Sequence, residues 1–261
     1  MNGTVTGNYG WARWTNRKIV PGWFGAENQG AGIAIADISG NGQPDLVVFH
    51  VDNPGGENHG YYRIGWNLDA NGDVTGGWSN IKSVPGWFGA ENQGADIAVV
   101  DISRNGQYDL VVFHIDNPGG ENFGYYRIGW NLDANGDVTG GWSNIKSVPG
   151  WFGAENQGAA IAAFLYYGDN CLVVAHIDNP GGENKAYFRI SAINQNGDSI
   201  AGWTNPIQMP APIGWETQGV AVATGYIAGY YKPDLVTFFI DNSVGENHGW
   251  YFFADILVGV P

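Results

Sequence analysis

Cysteine occurs once, at Cys171, so no intramolecular disulfide forms, and a core of this size needs none. Positive charge is scarce as well. Eleven Lys and Arg stand against twenty-five Asp and Glu, and the formal charge of -14 would repel a nucleic-acid backbone or an anionic membrane over much of the surface. Helical periodicity is almost absent. No apolar run approaches a membrane span, and the opening MNGTVTGNYGWARW lacks the basic and apolar regions of an export signal. These absences predict no nucleic-acid partner and no membrane insertion, neutral or cationic ligands, and a cytoplasmic or unconventionally exported protein. The oligomeric state is left open.

What is abundant is glycine, with forty-two residues, together with twelve Trp, thirteen Tyr and twelve Phe. That composition describes short strands and tight turns around an aromatic core. The chain is also repetitive. VPGWFGAENQG begins at Val20, Val84 and Val148, 64 residues apart, and only seven positions differ between the first two units (Gly32/Asp96, Ile35/Val99, Ala36/Val100, Gly40/Arg104, Pro44/Tyr108, Val51/Ile115, His59/Phe123). A fourth copy aligns Gly25 with Gly214, Gln29 with Gln218, Asp45 with Asp234 and Glu57 with Glu246, each 189 residues on. A period filling the chain predicts one repeat array.

Four strands are predicted per unit: a (Gly32 to Ile38), b (Leu46 to Val51), c (Tyr61 to Leu68) and d (Trp78 to Val84). Four antiparallel strands without helices form the blade of a β-propeller. The last copy has no strand d, whereas Trp14, Asn16, Val20 and Pro21 match Trp78, Asn80, Val84 and Pro85. The expected fold is therefore an all-β, four-bladed propeller, closed by the N-terminal strand completing the last blade. Strand d of blade 4 is placed at about 5–21, blade 1 at 22–85, blade 2 at 86–149, blade 3 at 150–210 and strands a to c of blade 4 at 211–261. Ala34, Ala98, Ala162 and Ala223 are expected to face a narrow central axis.

The a–b and c–d loops share one face of such an array, and the d–a and b–c loops share the other. On the first face, Asp37, Ser39, Asn41 and Asp45 stand at positions 1, 3, 5 and 9 of a loop with Gly42 at position 6, and Asp101, Ser103, Asn105 and Asp109 repeat the set. Hard oxygen ligands at this spacing suit Ca²⁺ in blades 1 and 2. The same side chains serve equally to cap the turn through backbone hydrogen bonds. Blade 3 has Leu165, Tyr167 and Cys171 there, and blade 4 keeps Asp234 but has Tyr226 and Ala228. With Leu-Val-Val following the loop and Phe24-Gly25 preceding it, the chain resembles the FG-GAP/VCBS-type propeller repeats of integrin heads and propeller lectins. The resemblance implies a propeller fold, calcium in the intact loops and glycan or protein ligands.

The second face repeats more strictly. Glu27, Glu91, Glu155 and Glu216 recur with Gln29, Gln93, Gln157 and Gln218; Asp52, Asp116, Asp178 and Asp241 recur with Asn53, Asn117, Asn179 and Asn242. So do Glu57-Asn58, Glu121-Asn122, Glu183-Asn184 and Glu246-Asn247, beside Trp23, Trp87 and Trp151. Carboxylates and amides bind vicinal hydroxyls, and indole faces stack on sugar rings. Inter-blade hydrogen bonding of glycine-rich loops accounts for the same residues. His50, His114 and His176 end strand b, two residues before the Asp, and read as buried, loop-anchored side chains. No blade is singled out as a single active site would be, so the leading expectation is a non-enzymatic, multivalent lectin for glycans or glycoproteins. The alternatives are a protein–protein scaffold or toxin accessory module, and a glycoside hydrolase built on Glu27 and Asp52.

Overall fold

The computed structural model describes residues 18–22, 28–52, 58–86, 88, 92–116, 122–150, 152, 158–178, 184–209, 219–225, 233–241 and 248–255. Blade 1 consists of β1 (Asn28–Ala36), β2 (Asp45–Asp52), β3 (His59–Gly65) and β4 (Lys82–Val84). Blade 2 repeats it as β5 (Asn92–Val100), β6 (Asp109–Asp116), β7 (Phe123–Gly129) and β8 (Lys146–Val148). Blade 3 follows as β9 (Ala159–Tyr166), β10 (Asp169–Asp178), β11 (Lys185–Ile193) and β12 (Ile207–Gln208). Blade 4 has β13 (Gly219–Gly225), β14 (Asp234–Asp241) and β15 (His248–Asp255). Every sheet is an antiparallel meander in chain order, and the described residues contain no helix. The protein is an all-β, four-bladed propeller.

Strand b is buried on both sides because it lies mid-sheet in a stacked blade. All eight residues of β6 are buried, and their period-2 alternation sends Val111, Phe113 and Ile115 toward blade 3 while Leu110 and Val112 meet blade 1. The core is a series of such junctions. One cluster joins Val47, Phe49 and Val51 of blade 1 to Ala95, Ile97 and Leu110 of blade 2, and another joins Val111 and Phe113 to Ile161, Leu172 and Val174. Ala34, Ala98 and Ala162 pack in these junctions instead of lining an axis. Glycine brings the a strands together: a Cβ at Gly30 would stand 2.7 Å from the Ala95 nitrogen, and one at Gly94 would stand 2.8 Å from that of Ala159.

Strand d is shorter than its sequence suggests. Only Lys82–Val84 and Lys146–Val148 pair continuously, while Trp78 and Trp142 form single bridges to Gly65 and Gly129. Ser79 accounts for the gap, since its hydroxyl accepts the Ile64 N–H at 2.9 Å where a backbone carbonyl would stand in an unbroken ladder. Of the N-terminal segment expected to complete blade 4, residues 5–17 lie outside the described set, and 18–20 belong to no ladder.

Candidate functional site

The loops between β1 and β2 and between β5 and β6 hold themselves closed. The Asp37 carboxylate accepts the N–H groups of Asn41 (3.0 Å) and Gly42 (2.8 Å), and Asp45 accepts those of Ser39 (2.9 Å) and Asn67 (2.8 Å). Asp101 and Asp109 do the same for Asn105, Gly106, Ser103 and Asn131. Burial pushes the Asp109 carboxyl up, against the pull of the Asn131 and Ser103 N–H groups. Each loop thus has all four carboxylate oxygens accepting from backbone donors. The described residues contain no group of three His, Cys, Asp or Glu side chains placed to share an ion. This donor set forms a capped turn.

The same hydrogen bonds build a different feature. Asn67 and Asn131 adopt left-handed backbone angles (φ 57° and 58°), which Asn tolerates better than most residues. Their side-chain oxygens accept the Asn41 amide at 2.7 Å and the Asn105 amide at 2.8 Å. Beside this amide pair, a cleft of about 400 Å³ opens between blades 2 and 3. Ser103 and Asn105 of one turn, Trp130, Asn131 and Ser143 of the next, and Gln195 and Asn196 of the following blade line it. The Trp130 ring bridges the junction, its Cη2 lying 3.3 Å from where a Cβ on Gly197 would stand, and a Cβ on Gly140 would come within 2.7 Å of the Trp130 Cβ. The lining has one flat indole, several amides and hydroxyls, and no charged side chain.

The residues recur at the preceding junction as Ser39, Asn41, Trp66, Asn67 and Ser79, with Ala134 and Asn135 in place of Gln195 and Asn196. Blade 3 ends the series: Ala192 and Ile193 take the backbone roles of Asn131 and Leu132, and residues 190–193 contain neither Trp nor Asn. Sequence reasoning missed this cleft, whose walls come from three turns far apart in the chain. Its available signal was the Gly-Trp-Asn at 65–67 and 129–131, present in two units and lost from the others.

On the opposite face, Asp52, Asn58, Asp116, Asn122, Asp178 and Asn184 are all fully or nearly fully buried. They are the base of the b–c loops and present no surface. His50, His114 and His176 are buried with them, each stacked on a Tyr (Tyr61, Tyr125, Tyr187) at 5.4–5.5 Å between ring centres. Phe88 and Phe152, at the ends of the blade linkers, lie 4.9 and 4.7 Å from His114 and His176. Burial drives both His114 and His176 down to about 3, with Arg127 and Arg189 adding repulsion, so both rings are neutral in the fold. Cys171 is buried in β10, and burial pushes its thiol up to about 11, the state of an inert core residue.

Trp23, Glu27, Asn53, Glu57, Trp87, Glu91, Asn117, Glu121, Trp151, Glu155, Gln157, Asn179, Glu183, Glu216, Gln218, Asn242, Glu246 and Asn247 lie outside the described residues. Gln29, Gln93 and Asp241 are described as strand backbone only.

The chain matches no protein-family description and no curated protein sequence. Among solved structures it is similar to an N-acetylgalactosamine deacetylase from F. plautii, in complex with blood group B trisaccharide, with 10% identity and a TM-score of 0.49 over 87% of this chain and 72% of that one. Likeness at that level bears on neither activity nor ligand.

Proposed function

We propose that this protein is a multivalent carbohydrate-binding protein whose sites lie at blade junctions. The observation that carries the reading is the cleft between blades 2 and 3. An indole is set among uncharged amides and hydroxyls in a volume of about 400 Å³, room for a pyranose ring with its hydroxyls satisfied. Trp130 supplies the flat apolar surface, and Asn105, Gln195 and Asn196 supply donors and acceptors. Absence of charge in the cleft favours a neutral glycan over an ionic ligand. Recurrence of the same residues around Trp66 gives this face a second candidate site, and two weak sites bind a surface rich in one glycan through avidity. The loops carrying Glu27, Glu91 and Glu155 with Trp23, Trp87 and Trp151 are a second candidate surface within the same proposal.

A glycan array probed with the labelled protein, in calcium and again in EDTA, tests the reading. A related set of hits in both buffers is expected. Trp130→Ala combined with Trp66→Ala is expected to abolish them while the circular dichroism spectrum is unchanged, and loss through Trp87→Ala and Trp151→Ala instead would move the sites to the opposite face. A blank array in both buffers would overturn the proposal and leave a polypeptide ligand as the alternative.

A further inference from the structure

Three of four equivalent glycines are pinned by the blade that follows them. A Cβ at Gly30, Gly94 or Gly158 would stand 2.7, 2.8 or 3.0 Å from the backbone nitrogen of Ala95, Ala159 or Val220. At Gly219, the fourth of the set, no atom of another described residue lies within 4 Å. The surface around it is uncovered as well: Phe238 is 44% exposed and Tyr251 73%, although their counterparts Phe113 and Tyr126 are buried in a junction. At the other end of the array Ile33 is 66% exposed and Ile35 61%, whereas Ile97 and Ile161, which match Ile33, are 1% and 3% exposed. Each end therefore bears half of a junction that the molecule builds three times in its interior.

Strand pairing shows the same incompleteness. Among the described residues β15 has no outer partner, where β3, β7 and β11 each have a strand d. Conversely, residues 18–21 stand beside blade 1 as a preceding blade's strand d would. Lys18 pairs with Asp73 as Lys82 does with Asp137 and Lys146 with Asp198, and Arg63 donates to the Pro21 carbonyl as Arg127 does to that of Pro85. Yet 18–20 join no sheet, and Ile19 is exposed. Among the described residues, a strand segment lacks its sheet at one end, and a sheet lacks its strand at the other.

We propose that a second copy of this chain supplies the missing junction: blade 4 of one copy packs on blade 1 of its partner, and the partner's segment 18–20 adds to the outer edge of β15. Complementary but different ends make a heterologous interface, which either closes into a ring or runs on as a filament. Twofold closure covers the end faces of both copies and ends the assembly. Closure within one chain would require β13 to pack on β1, as β5 packs on β1 and β9 on β5, and among the described residues these two strands do not pack in that way. The inference stands on the end faces alone and does not depend on glycan binding.

Light scattering on a size-exclusion column is expected to give twice the 28.1 kDa chain mass. Ile33→Glu or Phe238→Glu, both at exposed positions, is expected to halve that mass without changing the circular dichroism spectrum. Gly32 abuts Asp96 and Ile97 at the first junction, which places Ala221 against Ile33 across the proposed one. Ile33→Cys with Ala221→Cys is therefore expected to yield a covalent dimer on oxidation, visible on a non-reducing gel, while buried Cys171 stays out of the reaction. Monomer mass at every concentration, a disulfide closed within one chain, or a dimer that survives Ile33→Glu would each overturn the proposal.

Discussion

The two ends of a blade are held by different means. At the turn end, the carboxylates of Asp37 and Asp101 reach backbone groups four and five residues away, so each turn is closed by its own sequence. Blade 3 replaces the whole loop with Tyr167-Gly168, both at positive φ (47° and 88°) as a two-residue hairpin requires, and β9 and β10 pair without interruption. At the opposite end His114 is enclosed by Tyr125 of the next strand and by Phe88 of the linker, and Phe88 in turn packs on Phe49 of the preceding blade. A substitution there must satisfy several elements at once. Repetition of Asp and Asn in four units and of His in three thus measures how many neighbours this end serves, and does not by itself mark a ligand site.

The contrast is testable, beginning with the largest effect. Phe152→Ala, at a fully buried ring packed on Phe113 and His176, is expected to destabilise the fold by about 3–5 kcal/mol in urea denaturation. Acidification comes next. His114 and His176 have lowered values in the fold, so the stability their burial requires is fully present above the unfolded value of 6.5 and is lost as pH falls toward about 3. Each contributes a loss on the order of 2 kcal/mol at pH 5. His176→Phe, which copies Phe239 of blade 4, is expected to flatten that acid limb in a pH series of melting curves.

Asp96 has the opposite sign. Partly buried between blades 2 and 3 and bound to the N–H groups of Ile97 and Ile161, it is pushed up to about 7, so its contribution is fully present below the unfolded value of 3.8 and is lost as pH rises from there to about 7. At the turn end, Asp101→Ala is expected to cost only about 1 kcal/mol. A loss equal to that of Phe152→Ala would break the comparison, because it would make the turn as interdependent as the buried end. Smallest of all, millimolar calcium is expected to move the melting temperature by less than about 1 °C, since the turn carboxylates are already engaged. A larger rise would support calcium binding at Asp37 and Asp101.

Most of the fold was legible because a 64-residue period aligned each strand with its copies, and β2 and β6 extend only one residue beyond the apolar runs at either end. Strand d was overextended because Trp78 and Ser79 look like strand residues, although the Ser79 hydroxyl interrupts the ladder. The Asp loops were ambiguous for a chemical reason. The same carboxylate oxygens serve a cation or a turn of N–H donors, and spacing alone does not distinguish them. The Trp130 cleft was hidden because it joins two turns of one blade to a turn of the next, a proximity set by how blades stack and not by any local pattern.

The Lys–Asp clasps carry one more implication. Lys82 to Asp137 and Lys146 to Asp198 link the last strand of one blade to a turn of its successor, always in the same chain direction. Blades 1 and 2 therefore carry the same Lys plug and blades 1 to 3 the same Asp socket, while blade 3 has Ile207 in the plug position. Recombination between near-identical units could splice in or excise a whole 64-residue cassette, and every surviving joint would find the partners it had before. Blade number in such a lineage is free to drift, because no joint records how many there are.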